Sequence, residues 1–211
     1  MVEFADRVEA GQRLAERLEH LRGQDIVVLG LPRGGVPVAF EVARALNAPL
    51  DVIVVRKLGV PFQPELAMGA IGEGGVRVLD SEILGRTRVT HEQLDMVENR
   101  ERAVLEARID QLRRGRERVS LTGRIAVIVD DGIATGSTAR VACSIARQLG
   151  ASTVVLAVPV APADTLRNMP GADEVVCVAV PWLFRAVGCH YRDFSPTSDD
   201  EVMVLLDTAR H

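Results

Sequence analysis

Five short apolar runs constrain this chain more than any other feature: IVVLG (26–30), VIVV (52–55), IAVIV (125–129), TVVLAVPV (153–160) and VVCVAV (175–180). Each is rich in β-branched residues and shows no polar alternation, the pattern of strands covered on both faces in a parallel sheet. Helical patterns lie between them, over 36–46, from 91 to about 118 and over 138–149, the last stopped by Gly150. Strands that alternate with helices predict right-handed βαβ units, hence an α/β fold. Ahead of the first run, Phe4, Val8, Leu14, Leu18 and Leu21 recur at helical spacing up to Gly23, predicting an amphipathic opening helix over 4–21. The stretch ELAMGAIGEGGVRVLD (65–80) differs, because two short apolar runs flank Gly72, Gly74 and Gly75; a hairpin or mobile excursion is expected there.

At 211 residues, 47% apolar and 26% charged, the chain suits a single domain over 1–211 with its core at about 24–180. A formal net charge of −4 offers no general basic field to a nucleic-acid backbone or an anionic membrane, so neither is expected as a partner. Charges recur every few residues in MVEFADRVEAGQRLAERLEHL, where a secretory signal needs an apolar core, and no run approaches the ~20 apolar residues of a membrane span. A cytoplasmic protein is the expectation. Cys143, Cys177 and Cys189 are odd in number and lack CxxC spacing; the first two sit in apolar runs and read as buried thiols. The helical segment 91–118 is charged nearly all round and ends in RRGRER, but with Glu98, Glu101, Glu106 and Glu117 interleaved it reads as a solvated helix end rather than a phosphate site. PTSDDEV (196–202) suits an N-capped terminal helix, so Asp199, Asp200 and Glu201 are not taken as a metal site.

Ligands of open α/β sheets bind beyond the carboxyl ends of the strands, so the residues directly after each run carry the functional information. After IVVLG comes LPRGG (31–35), after VIVV comes Arg56-Lys57, and after IAVIV comes DDGIATGST (130–138). One rim would then hold cations, two carboxylates and a loop with almost no side chains. In the third junction, Ala134, Thr135, Gly136, Ser137 and Thr138 stand where a strand turns into a helix, so unbonded N–H groups and the positive helix end can meet a monophosphate. The same letters suit a tight turn with a helix N-cap, and alone they do not decide between the two. Asp130-Asp131 weighs toward a ligand, because two carboxylates at a buried strand end are costly unless hydroxyls, cations or a metal meet them. A P-loop, a G-x-G-x-x-G fingerprint and a G-x-S-x-G nucleophile elbow are absent from the sequence.

Together these stretches resemble the type I phosphoribosyltransferases. VIVDDGIATGST (127–138) is similar to that family's signature for 5-phosphoribosyl 1-pyrophosphate (PRPP). LPRGG resembles its pyrophosphate loop in the R-G-G form of xanthine-guanine enzymes, and Arg56-Lys57 the R-K pair of adenine and orotate enzymes. The resemblance implies a parallel-sheet phosphoribosyltransferase fold with helices on both faces, an antiparallel hairpin or flexible-loop excursion, and a small C-terminal hood over about 181–211. It implies roles as well. Asp130 and Asp131 would hold the ribose hydroxyls and, through water, Mg2+, while Ala134, Thr135, Gly136, Ser137 and Thr138 would hold the 5′-phosphate, with Gly132 and Ile133 of the same loop also in the PRPP site. Arg33, Gly34, Gly35, Arg56 and Lys57 would hold pyrophosphate, with Lys57 and the acidic pair as the catalytic groups. The peptide before Arg33 is expected to be a non-proline cis bond that turns successive amides toward pyrophosphate.

The implied reaction is Mg2+-dependent displacement of pyrophosphate from ribose C1 by a nucleobase or related acceptor, in a homodimer, with electrostatic stabilisation and no covalent nucleophile. Ala134 stands where hypoxanthine enzymes carry a third acid, so the loop resembles the D-D-x-x-A-T-G of adenine enzymes and lacks a purine-protonating Asp. Glu65 is a candidate mobile-loop acid, with an exposed surface glutamate as the plainer reading. In the hood segment, Trp182 and Tyr191 are candidates to stack the acceptor, with packing as the plainer role; His190 reads as a hydrogen-bonded bystander. The alternative reading of the same resemblance is a non-catalytic regulator that senses PRPP or a nucleotide. Such regulators carry an added DNA-binding segment, and 1–23 is too short for a helix-turn-helix.

Overall fold

The computed structural model describes residues 4–209. Residues 1–3, where the opening sequence begins, and 210–211, the end of the expected hood segment, lie outside the described residues. The chain runs α1 (Arg7–Arg17), β1 (Ile26–Gly30), α2 (Gly35–Leu46), β2 (Leu50–Val52), β3 (Val55–Val60), β4 (Gln63–Gly72), β5 (Arg77–Leu79), α3 (Ser81–Thr87), α4 (His91–Arg113), β6 (Ile125–Val129), α5 (Ser137–Gln148), β7 (Thr153–Val160), α6 (Ala163–Arg167), β8 (Glu174–Ala179) and α7 (Asp199–Thr208). β2-β1-β6-β7-β8 form a parallel sheet, and β3-β4-β5 a separate antiparallel one. Both faces of the parallel sheet are covered. Val28, Val127 and Val155 enter one core with Leu14 of α1, Val42 of α2 and Leu206 of α7. The alternate residues Val27, Ile128 and Leu156 pack on the other face with Ala142 and Ile145 of α5. That two-sided burial is why these strands read as unbroken apolar runs.

Several elements differ from the sequence expectation. VIVV is not one strand: Val52 ends β2, Val55 begins β3, and Ile53 and Val54 are buried where the chain leaves the parallel sheet. Arg56 and Lys57 therefore lie on an antiparallel strand. The opening helix begins at Arg7 because Asp6 caps it, accepting from the Glu9 amide at 2.9 Å; Phe4 instead forms a parallel bridge with Tyr191. α4 ends at Arg113, since Arg114 and then Gly115 turn left-handed. RRGRER is solvated only in part: Arg114, Gly115, Glu117 and Arg118 are exposed as expected, but Arg113 is buried against Asp51 and Glu73, and Arg116 reaches the Arg113 carbonyl and Asp207. The 65–80 stretch contributes β4 and β5 to the antiparallel sheet, with α3 starting at its end under an Asp80 cap. α7 carries a Ser198–Glu201 capping box and packs on α2 and α4 in the main core. Cys143 is buried, Cys177 half-buried and Cys189 exposed. No described helix is long and apolar enough to cross a membrane.

Candidate functional site

Register brings the first and third junctions together. Gly30 pairs with Val129, and the Leu31 amide donates to the Val129 carbonyl at 2.9 Å, so the loops after β1 and β6 leave the sheet side by side. The acidic pair then presses on the glycines of LPRGG. A Cβ on Gly34 would lie 2.1 Å from Asp131 Oδ2, and one on Gly35 would lie 2.7 Å from the Val129 carbonyl oxygen and 2.9 Å from Asp130 Cα. The Pro32–Arg33 peptide is cis, as the resemblance implied.

Asp131 is braced from both ends of the chain. Its Oδ2 accepts from Arg7 Nε at 2.9 Å, 124 positions away in sequence, and its carbonyl accepts from the Tyr191 hydroxyl at 2.6 Å. Arg7 in turn donates to the Ser195 carbonyl at 2.8 Å and lies 4.1 Å above the Phe194 ring. Nothing in the sequence singles out Arg7. Asp130 Oδ1 accepts from the Asp131 amide at 2.9 Å. Burial pushes the Asp130 carboxyl well above the usual carboxylate range, and the neighbouring Asp131 charge pushes it further. Burial also raises Asp131, against the opposing pull of Arg7. Such a pair favours hydroxyl donors or a cation at its open side.

A cavity of about 270 Å³ opens beside it, lined by Asp130, Ala134, Thr135, Ser137, Thr138 and Lys57, among others. The first turn of α5 lines this cavity, bringing the helix's unbonded amides and positive end to it. Thr165 Oγ1 fixes the loop by donating to the Ala134 carbonyl at 2.6 Å. Gly136 (φ 72°) caps α5 in the left-handed region, and a Cβ there would meet Met169 Cε at 2.7 Å and Thr165 Cγ2 at 2.9 Å. Its smallness therefore serves the turn and the packing on α6 rather than the approach of an anion. Gly132 is similarly closed in by Val187 and Val160.

Alternation along β3 sends Arg56 and Lys57 to opposite sides. Lys57 Nζ donates to Ser137 Oγ at 3.0 Å, in the first turn of α5. Arg56 Nε lies 3.1 Å from Glu101 Oε2 of α4, with Nη2 closer still. Glu65 is exposed on β4, and Arg33 is exposed on its loop. Trp182 is 95% exposed and lines an apolar cavity of about 510 Å³ with Leu183, Arg185, Cys189 and His190. Tyr191 is buried, its ring 5.3 Å from that of Phe4 and 5.0 Å from that of Phe194, which makes it a support for Asp131 rather than an open stacking face. His190 is buried beside Phe184, and its Nε2 has no partner, so it is not the hydrogen-bonded bystander expected. Among the described residues no three His, Cys, Asp or Glu side chains gather as a metal site.

The family model for the phosphoribosyl transferase domain matches residues 6–192. Rv0571c of Mycobacterium tuberculosis, provisionally named a phosphoribosyl transferase, is 61% identical over 207 residues, which cover 98% of this chain and 47% of that protein. The chain thus spans about half the length of the curated relatives it matches. Among solved structures, the TT1426 protein from Thermus thermophilus superposes with a TM-score of 0.86 at 46% identity, covering 97% of each chain. A hypothetical protein from Neisseria gonorrhoeae, solved with bound ppGpp, shares the fold at a TM-score of 0.51 and 14% identity, over 99% of this chain and 95% of that one. By the extent of the family match and the identity of its relatives, this chain belongs to the phosphoribosyl transferase domain family.

Proposed function

We propose that the domain binds PRPP and transfers its 5-phosphoribosyl group to a nucleobase or related nitrogen acceptor, with release of pyrophosphate. The observation that carries this reading is the close packing of the acidic pair on the glycine loop, with the helix-start cavity alongside. Carboxylates, amides and cations then follow one another as the hydroxyls and phosphates of PRPP require. Asp130 and Asp131 accept hydrogen bonds from the ribose hydroxyls. The first turn of α5 and the hydroxyls of Thr135, Ser137 and Thr138 hold the 5′-phosphate. Arg33 and the amides of its loop hold the pyrophosphate. With both ends fixed, the C1–N bond forms as the C1–O bond breaks and pyrophosphate departs, the acceptor's N–H proton passing to solvent; charge growing on the leaving group meets preorganised cations while the oxocarbenium character of the ribose develops near the acidic pair.

The acidic pair fits Mg2+ as hard oxygen ligands, too few for a protein-only cage and suited to an ion that PRPP itself helps to coordinate. When bound, Mg2+ neutralises leaving-group charge. Trp182, exposed at the mouth of its cavity, is the proposed stacking surface for the acceptor. The test is a panel of nucleobases assayed with PRPP and Mg2+ for pyrophosphate release and for the N-riboside 5′-monophosphate. Release with one acceptor supports transfer. PRPP binding without release for any acceptor makes the domain a sensor, and no PRPP binding overturns both readings.

A further inference from the structure

We propose that Arg108 of α4 is a further pyrophosphate-binding residue, held by Asp199 until the anion displaces that carboxylate; this rests on the phosphoribosyl-transfer reading above. A second cavity, of about 220 Å³, is lined by Pro32 of the glycine loop, Arg56 of β3, Val104 and Arg108 of α4, and Thr138, among others. Thr138 lines the 5′-phosphate cavity as well, so the two adjoin, as the two ends of one PRPP molecule need.

Both cations of this wall are docked on carboxylates. Arg108 Nη1 and Nη2 donate to Asp199 Oδ2 and Oδ1 at 2.6 and 2.5 Å, with Gln111 Nε2 donating to the same carboxylate at 3.0 Å. Arg56 is also held by a carboxylate, its Nε and Nη2 both donating to Glu101 Oε2, while Oε1 of that acid accepts from Arg100. A forked guanidinium–carboxylate pair has the geometry of a guanidinium–phosphate pair, so Asp199 keeps Arg108 in a pose that an anion can take over. The Arg108 hydrogen bonds hold the Asp199 carboxyl below the usual carboxylate range, and Arg33 contributes from the glycine loop. Arg56 and Arg108 thus share the wall of one cavity, with Arg33 on the glycine loop whose Pro32 lines it too, and these three cations against the two charges of Asp199 and Glu101 suit a polyanion. The long charged helix α4 thereby acquires a role that its solvated appearance in the sequence concealed.

The experiment is calorimetric titration of Mg2+-pyrophosphate, and separately of ribose 5-phosphate, into the full chain and the variants Arg108→Ala and Asp199→Asn, with thermal melts alongside. Arg108→Ala is expected to weaken pyrophosphate binding about tenfold or more. Asp199→Asn, which frees Arg108, is expected to tighten it by roughly two- to fivefold. Ribose 5-phosphate affinity stays at the wild-type value in both. A purely structural ion pair predicts losses in the same direction for both variants, and that result overturns the inference, as does unaltered pyrophosphate binding by Arg108→Ala. If Arg108→Ala does not fold, Asp199→Asn still decides: no gain in affinity overturns the proposal. Wild-type protein that binds neither ligand overturns the phosphoribosyl reading itself.

Discussion

Gly34 owes its identity to a residue far along the chain. The Asp131 carboxylate fills the space where a side chain would begin, 2.1 Å from an added Cβ. Gly34→Ala is expected to push Asp131 and its Arg7 partner out of line, at an overpacking cost of about 1–3 kcal/mol, and to weaken PRPP binding in calorimetry about tenfold or more. Unaltered affinity would detach the glycine loop from the ligand site. Asp130 carries the opposite tension. Its carboxyl is raised by burial and by Asp131, and a group raised in the folded state stabilises the fold below its unfolded pKa and loses that contribution as pH rises through the folded value. Asp130→Asn keeps the acceptor for the Asp131 amide. In metal-free buffer it should therefore raise Tm by about 2–4 °C at neutral pH, on the order of 1 kcal/mol for a domain of this size. The gain should fade as pH drops toward about 4. A variant no more stable than wild type at about pH 8 would show that charging the pair costs the fold nothing. The acidic pair stands out in the sequence because acids seldom close an apolar run. Arg7 does not, since nothing in RVEAGQRLAER distinguishes it from Arg13 or Arg17, and its partners arrive from the other end of the chain.

At the scale of elements, periodicity decides what neighbours in sequence can share. On a loop Arg56 and Lys57 could serve one phosphate, but on β3 they face apart, toward Glu101 and Ser137. Lys57→Ala is expected to weaken PRPP and ribose 5-phosphate alike, by roughly five- to tenfold, whereas Arg56→Ala weakens PRPP and leaves ribose 5-phosphate unchanged. Titrating both ligands into both variants checks this, and a Lys57→Ala that loses only PRPP would move the lysine to the pyrophosphate. β1, β6 and β7 were legible end to end because burial on two faces writes itself as an unbroken apolar run. The same rule hid the break inside VIVV, where the chain changes sheets without exposing Ile53 or Val54. The end of α4 was hidden for the reverse reason: RRGRER is polar throughout, and the stop lies in the left-handed backbone of Arg114 and Gly115.

For the whole molecule, the two sheets meet across a buried ion cluster with no apolar signature. Arg113, at the end of α4, donates to Asp51 Oδ1 of β2 at 3.2 Å, to the Val52 carbonyl at 3.2 Å and to Glu73 Oε2, just past β4, at 2.5 Å. Asp51 also accepts from the Val52 and Val119 amides at 2.8 and 2.9 Å. Burial raises the Glu73 carboxyl against the opposing pull of Arg113, with the Asp51 charge adding to the rise and Arg118 opposing it. Arg113→Met would leave two buried carboxylates without their cation, and a loss of about 3–5 kcal/mol in denaturant unfolding is expected. Adding Glu73→Gln should recover part of it, because the remaining carboxylate, Asp51, keeps its two amide donors. The cluster also sets where α4 lies, and α4 carries Glu101 and Arg108 to the cavity proposed for pyrophosphate. PRPP affinity should therefore fall in Arg113→Met at temperatures where the fold persists, and return with stability in the double variant. An Arg113→Met protein as stable as wild type would show that apolar packing alone joins the sheets, and that the ion cluster is incidental to both fold and site.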